Sequence, residues 1–237
     1  MERLSHAHEL LDGPLDATTL AGNLRDLARV NRWLGGARLS IRMIADLAGA
    51  AGDRSMRILD VGTGGADIPL ALLASWHGLP RPSVVAIDAR PEILAAARLV
   101  HPALDRTPEI ALEVADGRAL PYPDGTFDLA HASLVMHHLE PDEAVALLRE
   151  LRRVGEAVVV NDLDRTRIDW LGAWLVAHAL TRNRYTRNDA PLSVRRAYTA
   201  REMASLLRRA GLRAVRLRRG FLGHRYAILA LPMESSS

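Results

Sequence analysis

The amino-acid sequence predicts an α/β protein, a doubly wound, mostly parallel sheet covered by helices on both faces. Three observations carry this. Strand-length apolar runs alternate with helical patterns between residues 56 and 162, the order that builds parallel sheets through helical crossovers. Pro80, Pro82, Pro102, Pro108, Pro121 and Pro123 punctuate the connections. The stretch from Met56 to Pro69 joins a buried strand to a helix through a turn holding Gly62, Gly64 and Gly65. Such a turn brings backbone close to a bound cofactor, because glycine removes side chains and permits unusual φ angles.

In chain order, residues 1–18 are mixed and polar and read as a loose lead-in. Leu20, Leu24, Leu27 and Leu34 recur at helical spacing from Thr19 to Leu34, and Gly35-Gly36 stops that helix. A second helix at 37–49 carries Leu39, Ile41, Ile44 and Leu47. Then come strand 56–61, helix 66–77, strand 83–88, helix 91–100, strands 110–115 and 127–132, helix 141–153 and strand 156–162. Pro69 sits in a first helical turn, where a missing N–H costs nothing. Asp124-Gly125 is a tight-turn pair before the fourth strand. Past Leu163 an apolar helix spans 167–181, followed by a polar loop from Thr181 to Ser193 with Asn183, Asn188 and Pro191. Helix 199–210 opens on a capping-box pattern, Thr199 to Glu202. Strands at 213–219 and 225–231 close the chain as a hairpin through Gly220 and Gly223. Residues Glu234 to Ser237 read as a disordered tail.

The glycine turn matches a dinucleotide fingerprint only in part, because Asp67 replaces its third glycine. A helix N-terminus favours negative charge, and Asp67 puts its own there. That argues against a pyrophosphate, hence against a nicotinamide dehydrogenase, and for a cofactor offering hydroxyls or an ammonium. Asp60, two residues before Gly62, points the same way. A βα turn with no ligand is the plain alternative.

Asp60-Val-Gly62-Thr63-Gly64-Gly65 resembles motif I of the class I S-adenosylmethionine-dependent methyltransferases. Ser83 to Asp88 resembles the second strand, whose terminal acid holds the ribose. Val114-Ala-Asp116-Gly117 resembles the segment whose Asp meets the adenine amino group, and Phe127 to Ser133 the fourth strand. These motifs span about residues 56–162 in the family's order. The resemblance implies a Rossmann-like seven-stranded sheet with an antiparallel final hairpin. It implies S-adenosyl-L-methionine as cofactor and S-adenosyl-L-homocysteine as product, held by Asp60, Gly62, Thr63, Gly64, Asp67, Asp88, Ala89, Asp116, Gly117 and Ser133. Ala66 departs from the pattern where many members carry another glycine, a mild change to a small side chain. Residues 1–52 would be an N-terminal helical cover and 53–237 the cofactor-binding domain, with 163–198 as a substrate-lid insert. Asn31, Arg32 and Trp33 are placed to touch ligand, with Trp33 better suited to a core site at its helix end.

Length and composition set bounds. A chain of 237 residues, 49% apolar, suggests one large domain, or a domain with an appendage, and a sizeable core. No apolar run reaches the ~18 residues that span a bilayer, and residues 1–25 carry charge throughout, unlike a secretory leader. Without Cys there are no disulfides or thiolate metal sites, so a cytoplasmic location is expected. All 31 basic residues are Arg, a usage that a GC-rich genome explains. Residues 149–237 hold 18 Arg against 8 acids, and residues 1–148 hold 13 against 20. A basic half can bind nucleic acid or an acidic substrate. No Arg/aromatic platform for stacking bases accompanies it, so solvated helix faces and edge-strand protection are expected instead.

Methyl transfer to oxygen needs alignment, exclusion of water and a proton acceptor. After the fourth strand stand His137 and His138. Adjacent histidines are expected to point different ways, leaving one for the crevice, and the resemblance to ubiquinone/menaquinone-type methyltransferases favours His138. A histidine that only fixes the loop is the structural alternative. After the fifth strand, Asp162 is placed to orient a His or bind substrate. Asn161 and Asp162 would suit Mg²⁺, but a hard cation wants more oxygens than the sequence offers nearby, so no metal is expected. His178, Tyr185, Arg195, Arg196 and Tyr198 are candidates for the substrate side; His6, His8, His77, His101 and His224 are scattered. Trp170 and Trp174 on the insert suggest an apolar or aromatic acceptor, against an ordinary packed helix or a homodimer contact. Leu24 to Gly36, Asn161 to Arg165 and Ser193 to Thr199 resemble a bacterial subgroup linked with type III polyketide synthases, which implies O-methylation of a phenolic polyketide. Quinone-type C-methylation is the next reading. A nucleic-acid methyltransferase lacks support, since Ala132-Ser-Leu-Val135 stands where amino-methylating enzymes carry their proline tetrad. A non-catalytic cofactor-binding protein is the reading from another class.

Overall fold

The computed structural model describes residues 1–233 apart from 8, 11–12, 14–16, 52–53, 78–79, 182 and 221–222. The expected tail from Glu234, His8 and the boundary at residue 53 lie outside the described residues.

Seven strands form one sheet: β1 Arg57–Val61, β2 Ser83–Asp88, β3 Ile110–Val114, β4 Phe127–Ser133, β5 Gly155–Leu163, β6 Leu212–Arg219 and β7 Arg225–Pro232. Their order is β3-β2-β1-β4-β5-β7-β6. The first five run parallel; β7 lies antiparallel to β5, and β6 antiparallel to β7. The strand order reverses between β1 and β4, where Val61 faces Ala132. Ligands of doubly wound sheets bind at the carboxyl ends of the strands flanking such a reversal.

The helices are α1 Ala17–Trp33, α2 Gly36–Ala51, α3 Asp67–Ala74, α4 Pro91–Val100, α5 Pro141–Val154, α6 Arg167–Leu180, α7 Arg184–Arg196 and α8 Ala200–Arg209. On one face of the sheet, Leu147, Leu148 and Leu151 of α5 and Met203, Leu206 and Leu207 of α8 pack on Leu59, Val61, Val158, Val160 and Ile228. On the other, Met43 and Ile44 of α2 and Leu72 and Leu73 of α3 cover Ile58, Val84, Leu129, Val159 and Leu229. Burying each of these large aliphatic side chains stabilises the fold by about 1.5–3 kcal/mol. Both faces being covered explains why β1, β4 and β5 read as continuous apolar runs. β6 is an edge strand with Arg213, Arg216 and Arg219 exposed, a charged edge that resists pairing with another chain.

Three local expectations need correction. The segment Thr181 to Ser193 is mostly α7, not a loop. Asn183 caps it, accepting from the Tyr185 N–H at 2.9 Å. Pro191 lies inside the helix, which packs on α6 and α1, so tertiary contacts hold what local propensity opposes. The lead-in is docked, not loose, over its described first residues. Arg3 donates to Glu140, to the Leu139 carbonyl and to the Arg196 carbonyl, and the Leu4 N–H donates to the Arg195 carbonyl. Trp33 is 62% exposed and outside the core. The capping box of α8 forms as its sequence pattern indicates, with the Thr199 hydroxyl on the Glu202 N–H and the Glu202 carboxylate on the Thr199 N–H.

Ala66, the residue before α3, is fully buried with φ 55° and ψ 26°. The left-handed conformation crowds Cβ against backbone. Replacing glycine there is therefore a strained substitution, not a mild one. Ala66→Gly is expected to stabilise the protein by about 1 kcal/mol, read as a higher urea midpoint at unchanged slope.

Candidate functional site

A cavity of about 1190 Å³ opens over the carboxyl ends of β1, β2 and β4. Its lining includes Asp60, Gly62, Thr63, Gly64, Asp67, Asp88, Ala89, Asp116, Gly117, Ser133, His137 and His138. Ten residues singled out for a cofactor and two for catalysis thus meet in one space, although they are spread over 79 positions of chain from Asp60 to His138.

The glycine turn is shaped by φ angles of 67° at Gly62 and 54° at Gly64. A Cβ on Gly62 would lie 2.4 Å from Val135 Cγ2, so the turn packs directly on the loop after β4. Gly117 is equally closed, since a Cβ there would approach Val61 Cγ1 to 2.7 Å. The Thr63 N–H donates to the Ile87 carbonyl, which ties the turn to β2.

Asp60 anchors the turn from below through a buried chain of hydrogen bonds. The Thr63 hydroxyl donates to Asp60 Oδ2 at 2.7 Å, and His131 Nδ1 meets Asp60 Oδ1 at 2.6 Å. His131 Nε2 lies 2.8 Å from the Ser40 hydroxyl, which accepts from Asn161 Nδ2 at 2.7 Å. A neutral His131 protonated on Nδ1 satisfies every one of these groups in a single direction. Asn161 also donates to the Gly36 carbonyl. Its amide nitrogen is engaged with α2, and the residue does not line the cavity.

Asp88 accepts from the N–H groups of Gly64 and Arg90, both at 3.2 Å. Burial pushes its carboxyl up, and these two donors oppose the shift. Burial likewise raises Asp67, which accepts from Asn31 Nδ2 at 3.1 Å. Asp116 is half-exposed and clamped by the Arg118 guanidinium and N–H, which hold its carboxyl below the usual range. A ligand at Asp116 would therefore compete with Arg118. The Ser133 hydroxyl is buried with no hydrogen-bond partner among the described residues.

The two histidines do not diverge. A single 3₁₀ turn, Met136–His138, sets their rings side by side, with centroids 4.3 Å apart and planes tilted by 34°. They differ in partner. His137 Nδ1 lies 2.7 Å from Asp162 Oδ1, and its N–H donates to Asp162 Oδ2. Asp162 is itself 1% exposed. Burial works against its charge, but the His137 ring, the Leu163 N–H and Arg225 outweigh it and hold the carboxyl below the usual range. An ionised Asp162 accepts from His137 Nδ1–H, which leaves Nε2 as the ring nitrogen not committed to Asp162. His138 Nε2 and His137 Nε2 each lie 3.9 Å from the Glu9 carboxylate. These three residues are close enough to share a cation. Arg196 Nη1, 3.7 Å from Glu9, already sets positive charge at that carboxylate, which opposes a metal there.

The insert faces the cavity with small and aliphatic residues, Ile168, Gly172, Ala173, Val176 and Ala177, and with a polar side made of Asp169, Thr181, Thr186, Asp189, Ser193 and Arg196. Trp170 and Trp174 do not line it; they are partly exposed, and His178 stacks on Trp174. Tyr185 is buried elsewhere, Arg195 is exposed, and the Tyr198 hydroxyl donates to the Leu139 carbonyl. Of the substrate-side candidates only Arg196 reaches the cavity, bonded to the His138 carbonyl. Trp33 lines it too. Sequence reasoning missed Glu9, His131 and Arg225. A lone His in an apolar strand, an acid in a mixed lead-in and one Arg among many carry no local signal.

Residues 58–156 match the family model of a methyltransferase domain. A phosphatidylethanolamine N-methyltransferase from Cereibacter sphaeroides is 36% identical over 115 residues, 47% of this chain and 53% of that protein. A ubiquinone/menaquinone biosynthesis C-methyltransferase from Geobacter sp. (strain M21) is 30% identical over 135 residues, 57% of this chain and 52% of that protein. The chain spans about half the length of these relatives. A SAM-dependent methyltransferase from Aquifex aeolicus superposes with a TM-score of 0.63 at 20% identity, over 93% of this chain and all of that one. An O-methyltransferase family 2 protein from Planctomyces limnophilus, solved with apigenin, gives 0.65 at 19% identity, over 94% and 63%. The motif order, the strand order and the family match agree: residues 58–156 are a methyltransferase domain of the class I S-adenosylmethionine-dependent family.

Proposed function

We propose that the chain is a small-molecule methyltransferase that methylates a phenolic hydroxyl on an apolar or aromatic acceptor. The observation that carries this reading is the His137–Asp162 pair, with His137 on the wall of the cavity that the cofactor motifs line. S-adenosyl-L-methionine is the cofactor of the family, and the residues present suit it. Acids at the ends of β1 and β2 and at the start of α3 fit hydroxyl and ammonium groups and repel phosphates. Bound there, the cofactor supplies a sulfonium methyl open to in-line attack.

The chain's own groups do the rest. The Gly62–Asp67 turn and Asp88 hold the methionine and ribose parts, and Asp116 with Gly117 borders the adenine. The acceptor oxygen passes its proton to His137 Nε2 as it takes the methyl, and Asp162 stabilises the imidazolium that results. Residues 163–198 act as the lid, presenting Ile168, Ala173 and Val176 to the acceptor and excluding water. Trp170 and Trp174 have no part in that contact; the aliphatic patch of α6 supports an apolar ring on the acceptor, and the polar residues Asp169, Thr186 and Asp189 leave room for its hydroxyls.

A quinone-type C-methyltransferase is the second reading, favoured by the Geobacter relative. There the same base would take a ring-hydroxyl proton while the methyl goes to carbon. Incubation with labelled cofactor, phenols, quinols and matched rings lacking hydroxyl separates the two. Methyl ethers from the hydroxyl-bearing rings alone are expected. Methyl on ring carbon would replace the oxygen reading with the second one.

A further inference from the structure

Arg225 opens β7 and pairs with Leu163 at the carboxyl end of β5. It is 2% exposed, yet it lines the cavity. Its place is built into the backbone. A Cβ on Gly36 would fall 1.7 Å from Arg225 Nη1, so the guanidinium as placed fills the room that glycine leaves at the start of α2. Nη1 donates to Asn31 Oδ1 at 2.8 Å, and Asn31 Nδ2 donates in turn to Asp67. Among the described residues, Nε and Nη2 have no hydrogen-bond partner. These two groups share one edge of the guanidinium and point their N–H bonds in parallel. That edge is the fork that takes both oxygens of a carboxylate.

A buried cation with one edge unmet is costly unless something answers it. Asp162 and Asp67 offset its charge at a distance, and burial brings its pKa down only to about 10, so it stays protonated at neutral pH. Neither acid bonds the free edge. Proton transfer through His137 and Asp162 leaves the free edge of Arg225 unused, and no local pattern separates this residue from the other Arg.

We propose that Arg225 is the carboxylate receptor of the cavity, its Nε–Nη2 edge engaging a ligand carboxylate side-on. Two sources share that chemistry. One is the methionine carboxylate of the cofactor, which the Asn31–Asp67 link places near the turn. The other is an acid group on the acceptor, which proximity to Asp162 places near the base. The proposal rests on the cofactor cavity and not on the oxygen acceptor, and its test reads binding alone.

Calorimetry in one arm compares S-adenosylhomocysteine with its decarboxylated analogue. The other arm, with the cofactor site saturated by S-adenosylhomocysteine, compares 4-hydroxybenzoate with phenol. Each arm uses wild type and Arg225→Lys, which keeps charge but removes the fork. In one arm the carboxylate is expected to tighten binding by at least about tenfold in wild type and by less than about threefold in the variant. That arm names the source. The assigned Nε–H resonance of Arg225 in wild-type protein should move with the carboxylate ligand and stay put with its counterpart. This reading stands even where the variant does not fold. A carboxylate advantage equal in both proteins, or absent from both arms, or an Nε–H resonance indifferent to every carboxylate, overturns the proposal.

Discussion

His137→Asn is expected to lower kcat by about 10²–10⁴-fold while leaving S-adenosylhomocysteine affinity within about twofold. The choice of Asn matters. Its amide nitrogen occupies the position of Nδ1 and can keep donating to Asp162, which is 1% exposed and costly to leave alone. What the substitution removes is Nε2, the atom assigned to the acceptor proton. Stability and cofactor binding should therefore survive, and turnover should not. Asp162→Asn should fall by a similar factor for a different reason. An amide can present a donor to Nδ1, which moves the imidazole proton to Nε2 and makes the base a donor. His138→Asn is the control. Its ring lies beside His137 but has no contact with Asp162, so it should retain most activity. Equal losses in His137→Asn and His138→Asn would assign both rings to loop structure and remove the general base.

Asp60→Ala is expected to destabilise the protein by about 3 kcal/mol and to abolish measurable cofactor binding. The reasoning is the buried chain beneath the turn. Removing the carboxylate strands the Thr63 hydroxyl and the His131 Nδ1–H, both in residues under 9% exposed. Each unmet buried donor costs about 1–3 kcal/mol. Thr63 then no longer holds the turn between Gly62 and Gly64. Urea unfolding reads the first effect and calorimetry the second. His131→Ala in the same background tests whether the groups act as a unit. Its cost should be much smaller in Asp60→Ala than in wild type, because the partner is already gone. Full additivity would contradict the connected chain.

Much of this architecture was legible in the residues. Strands such as Ser83 to Asp88 were bounded by turn chemistry on both sides, and the Thr199–Glu202 cap announced α8. The cofactor candidates were legible because a doubly wound sheet brings the ends of successive strands to one edge, so each strand's last acid is placed by topology. Other features depended on contacts between distant segments. Asn183 and Pro191 signal a loop locally, but packing on α1 and α6 makes that segment helical. Adjacent histidines diverge on a strand or helix; the 3₁₀ turn at Met136 puts them side by side and gives Asp162 to His137. The outward face of α6 carries Trp170 and Trp174 because its small residues are the ones that line the cavity. Glu9 belongs to the site only because the chain start folds back, with Arg3 on Glu140 and Glu9 beside Arg196.

The measurement that tests the central claim most directly is calorimetric titration of S-adenosylhomocysteine into wild type and into Asp88→Ala. Asp88 lines the cavity, and its carboxylate is placed by the N–H groups of Gly64 and Arg90. The account predicts binding by wild type and a loss of at least about tenfold, ~1.4 kcal/mol, in the variant. No binding by wild type, or equal binding by both with the variant folded, would contradict it.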